Sequence, residues 1–152
     1  MARAYIEREM RMLVEYILMR WPGREFSTRV RLGPPPEIEV EGFTPEQVAG
    51  AFKPTHPMAD GVVYDPPDLW LIEAKVDNES QALGQLALYR RLAERTPGLL
   101  RSGAERIRPL LLMARRIPDV ISLAAEMNVE VDFFTPEWLR EFIRTGYPRV
   151  SR

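Results

Sequence analysis

The sequence has no cysteine and a single histidine, His56, among its 152 residues. Without cysteine the chain can form no disulfide, no thiolate metal site and no thiol nucleophile. One histidine excludes metal sites built from several imidazoles and leaves any serine hydrolase triad dependent on His56 alone. The chain contains neither the Gly-x-Ser-x-Gly sequence of such hydrolases nor a phosphate-binding glycine loop. These absences exclude most cysteine-, histidine- and glycine-loop-based chemistry.

Long apolar runs are missing as well. The run at residues 110–114 is only five residues long, whereas a membrane-spanning helix needs about 18 or more. The first eight residues already carry several charges, so no secretory signal is visible. The composition, 45% hydrophobic and 28% charged, is that of an ordinary globular protein. We therefore expect a cytoplasmic protein with a single domain of about 150 residues.

Lysine is scarce and charge is unevenly distributed. Only Lys53 and Lys75 interrupt a basic set that is otherwise arginine, so each lysine is less expected to be a generic surface charge. Residues 32–79 hold ten acidic residues and two lysines, whereas the rest of the chain holds 19 basic and 12 acidic residues. An acidic centre with basic flanks suits a cation site that faces a polyanion, although an ordinary solvated surface would explain the same counts.

Hydrophobic periodicity and turn residues predict alternating helices and strands. The first helix carries an apolar stripe formed by Ile6, Met10, Leu13, Val14, Ile17 and Trp21. Thr44-Pro45 and Thr135-Pro136 each start a helix, and Ser80 is predicted to cap another. Helices are predicted at residues 4–21, 44–52, 80–94, 118–127 and 135–145. Strands are predicted at residues 25–32, 37–40, 59–64, 69–76, 107–114 and 129–134.

This order of elements predicts an α/β fold with one domain. Strands that alternate with helices favour a mixed or parallel central sheet flanked by helices. Residues 33–57 are interpreted as an insertion, and residues 118–146 as an additional C-terminal α-β-α extension. Residues 147–152 are predicted to be a loose basic tail.

The chemically informative residues are Asp60 and the stretch Glu73-Ala74-Lys75. Glu73 and Lys75 lie two positions apart on an apolar strand, so both point to one face. A hairpin turn places Asp60 near the same end of the sheet. Two carboxylates and the Ala74 carbonyl would form an oxygen site for Mg²⁺ or Mn²⁺, and Lys75 could position or help deprotonate a bound water. The alternative is a buried ion pair that only sets strand register.

A helix follows this strand and carries Gln85 and Tyr89, which share a face because they are four residues apart. Gln81 lies one turn earlier on nearly the same face. These polar side chains could hold Lys75 or contact a phosphate or base. The alternative is an ordinary amphipathic helix whose leucines pack and whose glutamines are solvated.

Asp60, then Glu73-Ala74-Lys75 after twelve intervening residues, then Gln85-x-x-x-Tyr89 resemble the PD-(D/E)xK nuclease superfamily. The glutamine–tyrosine helix is similar to that of its RecB-like branch, found in helicase-nucleases and phage-type exonucleases. The resemblance covers residues 4–114 and implies a restriction-endonuclease-like core of order α-β-β-β-α-β. Two departures stand out: Ala59 occupies the place of the proline in the family name, and the insertion is of no recognised type.

Members of the superfamily often add a glutamate from the first helix to the metal site. The candidates here are Glu7, Glu9 and Glu15, and residues 6–9 resemble the start of archaeal Holliday-junction resolvases. By helical angle Glu7 and Glu9 flank the apolar stripe, whereas Glu15 points away from it. Glu7 is therefore preferred, followed by Glu9. The alternative is that all three are solvated helix charges.

Several basic residues are candidates for contacts to a nucleic-acid backbone, because arginine binds phosphate in a two-point geometry. His56 could contact a scissile phosphate, although a loop histidine is more often a surface residue. Helix-end arginines also suit the helix dipole without any ligand. The arginine candidates are Arg24, Arg29, Arg31, Arg90, Arg91, Arg95, Arg115 and Arg116.

The sequence thus favours a Mg²⁺- or Mn²⁺-dependent nuclease acting on DNA. In this hypothesis Asp60 and Glu73 bind metal, Lys75 assists the attacking water, and Gln85 and Tyr89 support the site. The alternative is an inactive protein of the same fold that serves as a DNA-binding or assembly subunit of a larger complex. An unrelated α/β domain with a buried ion pair is a third reading. A homodimer is compatible with each hypothesis.

Overall fold

The computed structural model of the chain describes residues 2–34, 36–52 and 56–146, with side chains described from residue 7 onward. Lys53 and the predicted tail at residues 147–152 lie outside these residues. The fold is α/β, with one five-stranded mixed sheet flanked by helices. The strands lie side by side in chain order: β1 (Phe26–Arg31), β2 (Met58–Asp65), β3 (Asp68–Lys75), β4 (Arg106–Met113) and β5 (Glu130–Phe133). The pairs β1–β2 and β2–β3 are antiparallel, and the pairs β3–β4 and β4–β5 are parallel.

Five helices complete the described chain: α1 (Ala2–Arg20), α2 (Pro45–Ala51), α3 (Glu79–Ala93), α4 (Pro118–Glu126) and α5 (Glu137–Thr145). The side chains of α1 and α5 pack in one core cluster and those of α3 and α4 in another, on opposite faces of the sheet. None of these helices is long and apolar enough to cross a membrane.

Strand β3 occupies the centre of the sheet because both of its faces are apolar. Leu69 and Leu71 pack in the cluster that contains α3, whereas Trp70 and Ile72 pack in the cluster that contains α1. Such a strand is covered on both sides, as its nearly continuous apolar sequence predicts. Since side chains alternate along a strand, Glu73 and Lys75 lie on the α3 side of the sheet.

Most predicted elements are confirmed within one or two residues, but two details are wrong. Residues 37–40 alternate like a strand yet form none, because no neighbouring strand pairs with them. The predicted cap of α3 by Ser80 does not form. The helix begins at Glu79 after Asn78, whose φ of 56° is left-handed. The predicted start of α2 is confirmed, because Thr44 and Gln47 form a reciprocal capping box.

Candidate functional site

The site lies where β2 and β3 separate. Their regular pairing ends at Gly61 and Ile72, and beyond that point two carboxylates take over the hydrogen bonding. The Asp60 amide donates to Glu73 Oε1 at 3.0 Å. The Ala74 amide donates to Asp60 Oδ2 at 3.0 Å. Each carboxylate is thus anchored by one oxygen to the opposite strand.

The pairing of β1 with β2 is also irregular next to Asp60. Thr28 pairs with Gly61 and Val30 with Ala59, but Arg29 and Asp60 are skipped. Arg29 has a φ of 52°, a left-handed conformation that non-glycine residues rarely adopt. Ala59 and Val62 pack in the same core cluster, although they are three residues apart, so the alternation of β2 is broken between them. This local irregularity lets Asp60 reach across to β3.

Burial and mutual repulsion shape the electrostatics of the acidic pair. Glu73 is 3% exposed. Burial, and then the negative charge of Asp60, raise the pKa of Glu73 to about 9. Burial also raises the pKa of Asp60, against the opposing effect of its hydrogen bond from Ala74. Two carboxylates this close disfavour a second negative charge, so the pair holds a proton at neutral pH.

A cleft of about 210 Å³ opens beside this pair. Lys75 lines it, and its side-chain ammonium makes no hydrogen bond or ion pair with any residue that the structure describes. Its charge lowers the pKa of Asp60, Glu73 and Glu9. The cleft therefore holds an unpaired ammonium group next to buried acids. Its lining residues are Glu9, Met10, Arg29, Met58, Ala59, Asp60 and Lys75.

The glutamate that α1 brings to the cleft is Glu9. Its Oε1 accepts a hydrogen bond of 3.2 Å from the Val76 amide, immediately after β3. Burial is the main cause that raises the pKa of Glu9. Glu7 is exposed and does not line the cleft. Glu15 accepts hydrogen bonds from Arg11 and Trp138 instead.

The preference for Glu7 over Glu9 is therefore reversed, and the cause lies in the buried stripe of α1. Met12 and Tyr16 are fully buried, whereas Met10 and Val14, which the periodicity placed in the stripe, are only partly buried. Glu9 precedes Met12 by three residues and therefore shares the inward face. The three-residue spacing from Glu9 to Met12 is the feature of the sequence that favours Glu9 over Glu7.

Helix α3 places Tyr89 near the acidic pair. Burial raises the pKa of Tyr89, and the negative charges of Glu73 and Asp60 raise it further. The Gln85 side-chain oxygen is buried and accepts no hydrogen bond from a described residue. Gln81 is exposed. The structure therefore brings Tyr89 to the carboxylates and leaves Gln85 with an unused acceptor.

The other candidate residues have different surroundings. His56 Nε2 lies 3.0 Å from the Gly33 carbonyl oxygen, outside the cleft. Arg24 pairs with Asp65. Arg115 binds buried Glu79 through two hydrogen bonds and also reaches Asp77. Of the arginine candidates, Arg29 alone lines the cleft among the residues described.

Only a few of the residues described at the site can offer oxygen ligands to a metal ion. Among the residues that the structure describes, no group of three or more His, Cys, Asp or Glu side chains is arranged to hold a metal ion. Asp60 and Glu73 offer two carboxylates. The Ala74 amide points towards β2, and the carbonyl of a strand residue points to the same side as its amide. A cation here would bind two carboxylates and one carbonyl, with water completing its coordination.

Comparisons with known proteins add little. No known family model matches the chain, and no curated protein sequence matches it. The chain is similar to a crystal structure described as a protein of unknown function, AF1548, with a TM-score of 0.45 and 13% sequence identity. That match covers 84% of this chain and 56% of the other, so the chain spans little more than half the length of its neighbour.

Proposed function

We propose that the protein is a Mg²⁺- or Mn²⁺-dependent nuclease that hydrolyses phosphodiester bonds in DNA. The observation that carries this proposal is the reciprocal pair of Asp60 and Glu73 at the separating ends of β2 and β3. Lys75 stands beside the pair with no ion-pair partner among the described residues. The resemblance to the PD-(D/E)xK superfamily supports the same reaction and a restriction-endonuclease-like core.

The residues fit a hard divalent cation. Carboxylate and carbonyl oxygens are the ligands that Mg²⁺ and Mn²⁺ prefer, and Mg²⁺ usually retains several waters. Asp60, Glu73 and the Ala74 carbonyl would hold the ion, and Glu9 lies across the same cleft. Burial is the main cause that raises the pKa of Glu73, and the negative charge of Asp60 is the second. A cation would offset the second cause, because a positive charge relieves the repulsion between the two carboxylates.

When bound, the cation supplies a water of lowered pKa and neutralises charge on the phosphate. Lys75 would orient that water and the phosphate through its ammonium group. Asp60 and Glu73 keep one oxygen each on the opposite strand, so their remaining oxygens are held in place. Tyr89 closes the α3 side of the pair, and Gln85 offers a buried acceptor that can hold the Lys75 ammonium. Arg29 binds a phosphate oxygen at the mouth of the cleft.

The proposal is tested by titrating Mn²⁺ calorimetrically and assaying cleavage of a plasmid and of labelled single- and double-stranded oligonucleotides. We expect both Mn²⁺ binding and cleavage in the wild type and neither in Asp60→Asn. Glu126→Gln, an exposed acid on α4, controls for the loss of one negative charge. A folded wild type that binds no Mn²⁺ would overturn the proposal and favour the alternative of an assembly subunit.

Replacing Lys75 by methionine is expected to separate metal binding from cleavage. The variant loses the ammonium group that orients the water but keeps both carboxylates, so cleavage should fall by about a hundredfold or more. Affinity for Mn²⁺ should stay the same or increase, because a positive charge leaves the cleft. Calorimetry and cleavage rates measured on the same sample check this result. Unchanged cleavage by Lys75→Met would remove Lys75 from the mechanism.

Replacing Arg29 by glycine is expected to weaken cleavage without harming the fold. Glycine adopts the left-handed conformation freely, so the free energy of unfolding should stay the same or rise by about 1 kcal/mol. Loss of a hydrogen bond to a charged phosphate should raise KM for DNA about tenfold. Arg29→Lys should retain most of the affinity. Equal KM values for Arg29→Gly and the wild type would show that Arg29 does not contact substrate.

A further inference from the structure

A second surface of the molecule is formed by residues 36–52, which we name the acidic arm. The arm contains four glutamates and no basic residue. Phe43 and Phe52 are 61% and 51% exposed, and Ile38 and Val40 are also exposed. These apolar side chains border a groove of about 810 Å³. An apolar groove framed by one sign of charge is typical of a protein interaction site.

The arm is not part of the core of its own chain. None of its residues belongs to either core cluster or packs against one. Helix α2 makes no extensive contact with another described helix or strand. Buried Val48 lies in the groove among other arm residues. The apolar side chains of the arm are therefore available to another molecule.

The surface that complements the arm is the outer face of α3, which we name the basic face. Its residues are Ala87, Leu88, Arg90 and Arg91 of α3, with Glu94 and Arg95 immediately after the helix, and Leu88 is 50% exposed. Leu88, Arg91 and Arg95 follow one another at the spacing of a single helix face. The guanidinium groups of the three arginines form no hydrogen bond or ion pair with other described residues. The basic face thus offers apolar contact together with unpaired positive charge.

The two surfaces lie at the same end of the molecule. The amide of Gly33, at the base of the arm, donates a hydrogen bond of 2.7 Å to Thr96 Oγ1, just beyond α3. Leu92 of α3 also lies against Gly33. Two complementary patches side by side on one copy can meet the same two patches of another copy crosswise around a twofold axis. Both contacts then form at once.

We propose that the chain forms a twofold dimer in which the acidic arm of each copy docks on the basic face of the other. Charge complementarity carries this choice of partner, because the arm holds four glutamates and no basic residue, whereas the basic face holds three unpaired arginines and one glutamate, Glu94. A nucleic acid would fit the basic face but would be repelled by the arm. The dimer does not depend on the proposed nuclease activity.

The test uses charge reversal in the full chain. Light scattering and analytical ultracentrifugation should show a wild-type dimer whose dissociation constant rises with salt. Glu39→Lys with Glu41→Lys on the arm, or Arg91→Glu with Arg95→Glu on the basic face, should each weaken it by at least about a hundredfold. Mixing the two variants should restore a heterodimer, because both contacts regain opposite charges.

Glu126→Lys on the exposed surface of α4 is the matched control and should leave the dimer unchanged. Circular dichroism should show native folding in all variants, since the reversed residues lie outside the core. A wild type that is monomeric at every concentration would overturn the inference. A dimer that is insensitive to both reversals, or one that the mixture fails to restore, would also overturn it.

Discussion

Replacing Glu73 by glutamine is expected to abolish cleavage and, in the absence of metal, to stabilise the protein at alkaline pH. Glutamine keeps an oxygen to accept the hydrogen bond from the Asp60 amide but cannot carry the negative charge that a cation needs. Cleavage should fall by at least about a hundredfold, the effect typical of removing one electrostatic group from an active site. Binding of Mn²⁺ should be lost as well.

The gain in stability follows from the sign of the pKa shift. The pKa of Glu73 is raised from 4.5 to about 9, so the folded protein binds a proton that the unfolded chain releases in this range. The stabilisation is complete below pH 4.5 and is lost as the pH rises towards 9. The wild-type free energy of unfolding should therefore fall by up to about 1.4 kcal/mol per pH unit across this window.

Urea unfolding at pH 5 and pH 8, with a chelator present, checks this prediction. The two proteins should have similar stability at pH 5, and Glu73→Gln should be more stable by about 2 kcal/mol or more at pH 8. Glu126→Gln, the exposed-acid control, should follow the wild type. Parallel pH curves for the wild type and Glu73→Gln would contradict the assignment of a protonated Glu73. Retained cleavage would contradict the proposed function separately.

Replacing Arg115 by methionine is expected to destabilise the fold strongly. Glu79, at the start of α3, is 2% exposed and receives two hydrogen bonds from Arg115, at 2.7 Å and 3.1 Å. The Arg115 side chain is about half exposed. Without Arg115 the Glu79 carboxylate would remain buried without its cation, at a cost of about 3 kcal/mol. Because Arg115 follows β4, its loss should loosen the contact between β4 and the beginning of α3.

A double-mutant cycle measures this interaction directly. Glu79→Gln removes the buried charge, so Arg115→Met should cost much less in that background than in the wild type. We expect a coupling energy of at least about 1 kcal/mol from urea unfolding of the four proteins. Arg116→Met, at the neighbouring exposed position, is the control and should have a small effect. Additive effects of the two substitutions would show that the pair does not stabilise the fold.

Local sequence determined most of the secondary structure. The apolar run of β3, the capping box at Thr44 and the apolar stripe of α1 each act within a few residues, so periodicity and capping chemistry predicted their elements. Residues 37–40 show the limit of this reasoning. Their alternation is that of a strand, but a strand also needs a neighbour to pair with, and none is present in the described sheet.

The chemistry of the candidate site was also partly visible in the sequence. Strand alternation placed Glu73 and Lys75 on one face, and the hairpin turn placed Asp60 near them. The reciprocal hydrogen bonds between Asp60, Glu73 and Ala74 were not predictable, because they require β2 and β3 to separate at one level. That separation coincides with the left-handed conformation of Arg29 on a third strand.

Only the tertiary structure decided which distant side chains join this framework. Glu9 reaches the cleft because the buried face of α1 is centred on Met12 and Tyr16. Which face of α1 is buried depends on how the helix packs against the sheet. Arg115 meets Glu79 across 36 residues of sequence. The sequence by itself determined the helices, the strands and the acidic and basic groups near β3. Long-range packing decided which of those groups are buried, paired or left free, because burial and pairing depend on neighbours that are remote along the chain.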